Sequence, residues 1–268
     1  YRGDFYMKAG VSSACLYPQI LEDSVEDLAK RGVKNIEIFV NSDCELEETY
    51  LIELKSIMDY YGTKCVSLHP YTCPIEPMMF FTNYERRVTD ALKYYSKYFK
   101  AMNIFGANIL VFHGNKAVVP VEENLYFDRF FKLAELGKKF GVVVAQENVA
   151  RCQCNNIPFM VNMVRQLGDT AKFVIDLKQA IRSNLNIFDI IDAIGYNIAH
   201  IHISDHTSTQ DCLPLGMGVL DINLLLNRLK EKSFDGSIML ELYRNNFDTV
   251  EQLKDNYYYL CSLIDNSF

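Results

Sequence analysis

Eight short runs rich in Val, Ile and Phe, separated by longer segments of helical period, constrain this chain more than any other feature. The runs are KAGVSSA (8–14), NIEIFV (35–40), KCVSLH (64–69), ANILVFH (107–113), VVVAQE (142–147), KFVID (172–176), AHIHIS (199–204) and SIMLEL (237–242). Several are almost continuously apolar, the pattern of a strand covered on both faces, as in a parallel sheet packed under helices. A strand–helix rhythm of this kind allows an open doubly wound sheet or a closed barrel. No glycine-rich phosphate-binding turn follows the first run, which weakens the dinucleotide-binding open sheet. The expected fold is α/β, a single (β/α)8 TIM barrel.

The intervening segments carry helix signals. Ser24-x-x-Asp27 has the form of a capping box, and Gly32 stands where a left-handed residue would close that helix. From Val88 onward, Ala91, Leu92, Tyr95, Phe99 and Met102 recur at a spacing of three to four, one apolar stripe along a helix. Gly137 and Gly141 bracket the end of the next helix, and the last runs from about Thr249 to Leu263. No linker or low-complexity tract divides the chain. Residues 7–268 are read as one barrel domain, with 1–6 as a foreign or disordered lead-in and Met7 as the native start.

With 268 residues the chain is long enough to bury a core without disulfide staples. Its eight cysteines are scattered, and Cys152-x-Cys154 has no second Cys/His pair at zinc-site spacing. Free thiols in a reducing cytoplasm are expected. The net charge of −7 gives no long-range attraction to nucleic acid or an anionic membrane. No apolar run reaches the roughly 18 residues of a membrane span, and no signal peptide is evident. Neither class of partner is expected.

The polar residues are the informative ones. Strands three to eight end, or nearly end, in His69, His113, Glu147, Asp176, His202 and Glu241. In a parallel barrel the C-terminal ends of all strands meet at one mouth, where active sites are built. Oxygen and nitrogen donors in this mixture suit a divalent metal: Mn²⁺, Mg²⁺ or Co²⁺, with Zn²⁺ also allowed. Three carboxylates buried together without a cation would repel one another. A hydrogen-bonded polar plug closing the barrel is the alternative.

The order and spacing of SLHP (67–70), VFHG (111–114), QEN (146–148), VID (174–176), HIHISD (200–205), PLGMGVLD (214–221) and LELY (240–243) resemble the xylose isomerase-like barrel superfamily, over nearly the whole chain. That group includes sugar and sugar-phosphate isomerases and epimerases and the endonuclease IV type of repair enzyme. The resemblance implies Glu147, Asp176, His202 and Glu241 as metal ligands, with Glu147 and Glu241 also as the catalytic acid/base pair. It implies a metal-dependent isomerase or epimerase acting on a small sugar, sugar phosphate or cyclitol through an enediolate. Such barrels often form homo-oligomers.

Departures from the family pattern bear on the substrate. The His that often stands three residues after the Asp ligand is Gln179 here, and Lys178 replaces a common Gly. Both are candidate substrate-binding residues, Lys178 toward a phosphate or carboxylate. The stretch 206–211, HTSTQD, lacks the Arg of the epimerases. His69 and His113 are expected to bind substrate hydroxyls, and Phe39, Tyr71, Phe80 and Tyr243 either wall the pocket or belong to the core. The competing functions are a phosphodiester hydrolase of the endonuclease IV kind, a related lyase or dehydratase, and a barrel that binds ligand without turnover. The His after the Asp and the downstream Asp-x-His of the nuclease's third metal site are both absent.

Overall fold

The computed structural model describes residues 7–267, so the expectation for residues 1–6 lies outside the described residues. The strands are β1 (Lys8–Ser12), β2 (Asn35–Phe39), β3 (Lys64–His69), β4 (Ile109–Phe112), β5 (Val143–Glu147), β6 (Lys172–Asp176), β7 (Ile198–Ile203) and β8 (Ser237–Leu240). Each pairs in parallel with the next, and β8 pairs with β1, so the sheet closes into an eight-stranded barrel. All eight expected runs contain a strand.

Alternation along each strand sorts the side chains. Residues two apart share a face, so Ala145 with Glu147, Val174 with Asp176, His200 with His202, and Met239 with Glu241 point the same way. A small buried cluster of Ile109, Val111, Ala145 and Val174 has the parity of the ligand-type residues and fills the barrel below them. The opposite parity, including Leu110, Phe112, Val144, Phe173, Ile175 and Ile201, joins the large outer core beneath the helices. The helix Glu85–Phe105 buries Val88, Ala91, Tyr95, Phe99 and Met102 in that core, as the stripe predicts.

Two local expectations change. The first helix begins at Leu21, not after Ser24, and Ser24 lies inside it with its hydroxyl donating to Ile20 O at 2.9 Å. Glu22 and Asp23 place negative charge in that earlier first turn, where the helix dipole favours it. Phe80 is fully buried in the outer core against Tyr95 and Phe112, and is not a pocket wall. Gly32 does adopt the expected left-handed conformation, at φ 83°. All eight cysteines are free thiols. Among the described residues no helix is long and apolar enough to cross a membrane.

Gly10 in β1 illustrates how tightly the interior is filled. A Cβ there would lie 2.5 Å from the backbone oxygen of Asn35 and 2.5 Å from Met239 Cε. Gly10→Ala is expected to destabilise the fold by about 1–3 kcal/mol through overpacking. The check is a urea midpoint compared with Gly62→Ala, where a Cβ meets nothing within 4 Å and only the positive φ of 65° opposes it.

Candidate metal centre at the barrel mouth

Glu147 ends β5, Asp176 ends β6, His202 lies near the end of β7, and Glu241 follows β8. One ligand atom from each lies within 4.8 Å of the others. Glu147, Asp176 and His202 are at most 2% exposed, and the Glu241 side chain is 13% exposed. His202 Nδ1 is buried without a hydrogen-bond partner, whereas Glu147 Oε2 faces His113 Nε2 at 2.7 Å and Asp176 Oδ2 faces Lys178 Nζ at 3.0 Å. Buried polar atoms are nearly always satisfied in folded proteins. An unpartnered imidazole nitrogen beside three carboxylates is a donor set that fits a divalent cation.

The electrostatics differ among the three carboxylates. Burial pushes the Asp176 carboxyl up to about 7, with Lys178 opposing the rise and Glu241 and Glu147 adding to it. Burial would also raise Glu147, but His113 and His202 beside it hold that carboxyl well below the usual range. At Glu241 burial is outweighed by Lys178 and His202, and the carboxyl falls to about 2. Burial disfavours a charged His202, yet Glu37 and Glu241 raise it well above the ordinary imidazole value.

Short-range contacts hold each ligand. Asp176 N donates to Asn148 Oδ1 at 2.7 Å, and Asn148 Nδ2 returns a bond to Asp176 O at 3.1 Å. That pair locks the ends of β5 and β6 together. Gln146 Nε2 donates to the carbonyls of Phe112 and His113, tying β5 to β4. Asp205 accepts from the backbone N–H groups of His206, Gly216, Gly218 and Leu220, at 2.8–3.0 Å. So HIHISD and PLGMGVLD are two halves of one clasp that closes the mouth beyond His202.

The expected substrate residues divide. His69 and His113 face each other, Nε2 to Nε2 at 3.0 Å, and His113 Nε2 lies 2.7 Å from Glu147 Oε2. Burial and the neighbouring His113 lower His69 to about 4, so it is a neutral imidazole at pH 7. Lys178 does not extend outward: its Nζ lies 3.0 Å from Asp176 Oδ2 and 2.9 Å from Glu241 Oε2. The Gln179 oxygen accepts from Ala150 N at 3.0 Å, which anchors the loop after β5.

Above the ligands opens a cavity of about 500 Å³, bounded by Tyr17, Phe39, Tyr71, Arg151, Leu242 and Tyr243, with His69, His113, Glu147, Lys178, Gln179 and Glu241 at its floor and sides. Phe39, Tyr71 and Tyr243 are thus walls. A concavity at the opposite end, lined by Lys8, Lys172 and Phe234, contains none of the six strand-end residues.

Sequence reasoning passed over three buried groups. Glu37 sits in β2, and His200 lies one alternation below His202; both are fully buried. Glu76, between β3 and β4, accepts from the N–H groups of His113 and Gly114 at 2.9 and 2.6 Å and from the Tyr95 hydroxyl at 2.6 Å. The signal for Glu37 was present: a carboxylate in the middle of the apolar run NIEIF, on the inward parity.

The fold is shared with known proteins. An uncharacterized protein of Methanocaldococcus jannaschii is 24% identical over 259 residues, covering 88% of this chain and 83% of that one. An inosose isomerase of Halalkalibacterium halodurans is 28% identical over 126 residues, 43% of this chain and 45% of the isomerase. Among solved structures, a D-tagatose 3-epimerase-like protein superposes with TM-score 0.79 at 17% identity, covering 97% of this chain and 98% of that one. An IolI protein with a bound zinc atom gives 0.78 at 20% identity, covering 98% and 99%. Residues 25–262 match the family described as xylose isomerase-like TIM barrel, and the chain belongs to that family.

Proposed function

We propose that this protein is a metal-dependent isomerase or epimerase of a small sugar, sugar phosphate or cyclitol. The observation that carries the reading is the cluster of Glu147, Asp176, His202 and Glu241, whose ligand atoms lie within 4.8 Å of one another, with Glu147 and Glu241 lining a cavity of about 500 Å³. The names of the relatives, a 3-epimerase-like protein and an inosose isomerase, support the same class. Glu147, Asp176, His202 and Glu241 would hold the ion, with Mn²⁺, Mg²⁺ or Co²⁺ favoured by the oxygen-rich donor set and Zn²⁺ admitted. The free thiols suit a cytoplasmic protein.

Proton transfer next to a carbonyl is slow because the resulting enediolate is unstable. A bound divalent ion supplies Lewis-acid stabilisation of that negative charge. Glu147 and Glu241 then act as the acid/base pair, one taking the proton and the other returning it. His113 Nε2, 2.7 Å from Glu147 Oε2, orients the first carboxylate. Lys178 does the same for Glu241 and borders the cavity, within reach of a substrate oxygen. Phe39, Tyr71 and Tyr243 shield the reacting carbon from water.

With a panel of ketoses, sugar phosphates and inososes in D₂O, the Mn²⁺-loaded protein is expected to exchange one substrate C–H proton. Glu241→Gln should slow that exchange by about 10²–10⁴-fold, the usual contribution of a general acid or base. Two or three zinc ions per chain with cleavage of abasic DNA would overturn the reading.

Metal affinity should rise with pH. In the metal-free protein His202 is held well above its ordinary value and Asp176 near 7, so protons must leave as the ion enters. Below pH 7 affinity is expected to fall, and calorimetry in two buffers of different ionisation enthalpy should show net proton release.

Lys178→Met removes the cation between Asp176 and Glu241 and should lower metal-free stability by about 3 kcal/mol, the cost of breaking a buried ion pair. Added Mn²⁺ should restore more thermal stability to this variant than to the wild type, which scanning fluorimetry would measure.

A further inference from the structure

Directly beneath the ligand cup, Glu37 on β2 is fully buried. Four groups from three other strands converge on it. Ser12 Oγ donates to Oε1 at 3.1 Å and Ser67 Oγ to Oε2 at 2.8 Å. His200 Nε2 and His202 Nε2 lie 3.2 and 3.0 Å from Oε2. No lysine or arginine contacts it among the described residues, so histidine protons and hydroxyls alone hold this buried charge.

His202 is therefore engaged at both ring nitrogens. Nε2 meets Glu37, whereas Nδ1 lies 3.4 Å from Glu147 Oε1 and 3.4 Å from Glu241 Oε2 without a hydrogen-bond partner. A neutral imidazole carries one proton, and an ionised carboxylate is an acceptor only. With Glu37 at Nε2, the ring that gives up a proton as an ion enters keeps the one on Nε2, and the lone pair then freed on Nδ1 faces the cup. The ring plane is set by the same contact.

We propose that Glu37 is a positioning residue for the metal centre: it selects the Nε2–H tautomer of His202, makes Nδ1 the ligand atom and raises its basicity. The inference rests on the reading that the cup binds a divalent ion. Glu37, His200 and His202 also lie close enough together to suggest an ion site of their own. Their geometry is that of hydrogen bonding instead, since both imidazoles and the Ser67 hydroxyl share the single oxygen Oε2. Ser67 Oγ is in turn 3.3 Å from His200 Nε2, which knits the two histidines and the carboxylate into one layer.

The test compares Co²⁺ binding by wild type and Glu37→Gln, by calorimetry and by the visible spectrum of the Co²⁺ protein, with circular dichroism and melting of both metal-free forms. The amide keeps the size of Glu37 but not its charge. Affinity is expected to fall about 10–100-fold, as when an outer partner of a metal-bound histidine is removed, with a changed spectrum and a folded protein. Because Glu37→Gln could also weaken the fold, the wild type supplies an independent readout. In ¹⁵N-histidine protein loaded with ¹¹³Cd²⁺, His202 should couple to the metal through Nδ1 and retain a slowly exchanging Nε2 proton. A merely structural role for Glu37 would not set that tautomer. The proposal is overturned by Co²⁺ affinity within threefold of wild type in folded Glu37→Gln, by metal on Nε2, or by two Co²⁺ per chain with one in the Glu37 layer. A wild type that binds Co²⁺ while Glu37→Gln matches it leaves the enzymatic reading intact. A wild type that binds no Co²⁺ removes both.

Discussion

Glu147, Asp176 and Glu241 converge where little water reaches them, and like charges so placed repel strongly because the surroundings cannot screen them. Much of the mouth of this barrel is organised around that repulsion. Lys178 sits between two of the carboxylates, His202 faces two, and His113 braces the third. Even so, His202 Nδ1 remains buried without a hydrogen-bond partner. A divalent ion among these groups would meet a site already organised by their contacts.

The second layer follows from the first. A metal-binding histidine is useful only if one particular nitrogen presents its lone pair, and the imidazole ring does not decide that by itself. Glu37 does, from a strand far away in the chain, and Ser12, Ser67 and His200 hold its carboxylate in place. Barrel closure makes this possible. Side chains of one parity from every strand share the interior, so β1, β2, β3 and β7 can all reach one carboxylate.

The site also differs in kind from its neighbourhood. Around the ligands, backbone N–H and C=O groups are tied down by Asn148, Gln146, Gln179 and Asp205. These side chains hold the ends of β4, β5, β6 and β7 in register.

Local periodicity made the barrel legible in the sequence. Apolar runs of strand length spaced by helices imply a parallel sheet, and ligand-type residues at successive strand ends imply one mouth. Both inferences need only neighbouring residues, because strand alternation and strand direction are local properties. The same reasoning named Glu147, Asp176, His202 and Glu241. It could not say where Lys178 points, that Gln179 is occupied by Ala150, that Phe80 faces the outer core, or that Glu37 backs His202. Each of those depends on a partner brought near only by closure: Glu37 and His202 are 165 residues apart in sequence. Ser24 failed for a related reason, since its capping pattern is satisfied equally well by a residue inside a helix that starts one turn earlier. The chain's own residues determined the barrel and its ring of ligand-type side chains; the tertiary structure decided which cation, imidazole and carboxylate answer one another inside it, because charge pairing acts through space.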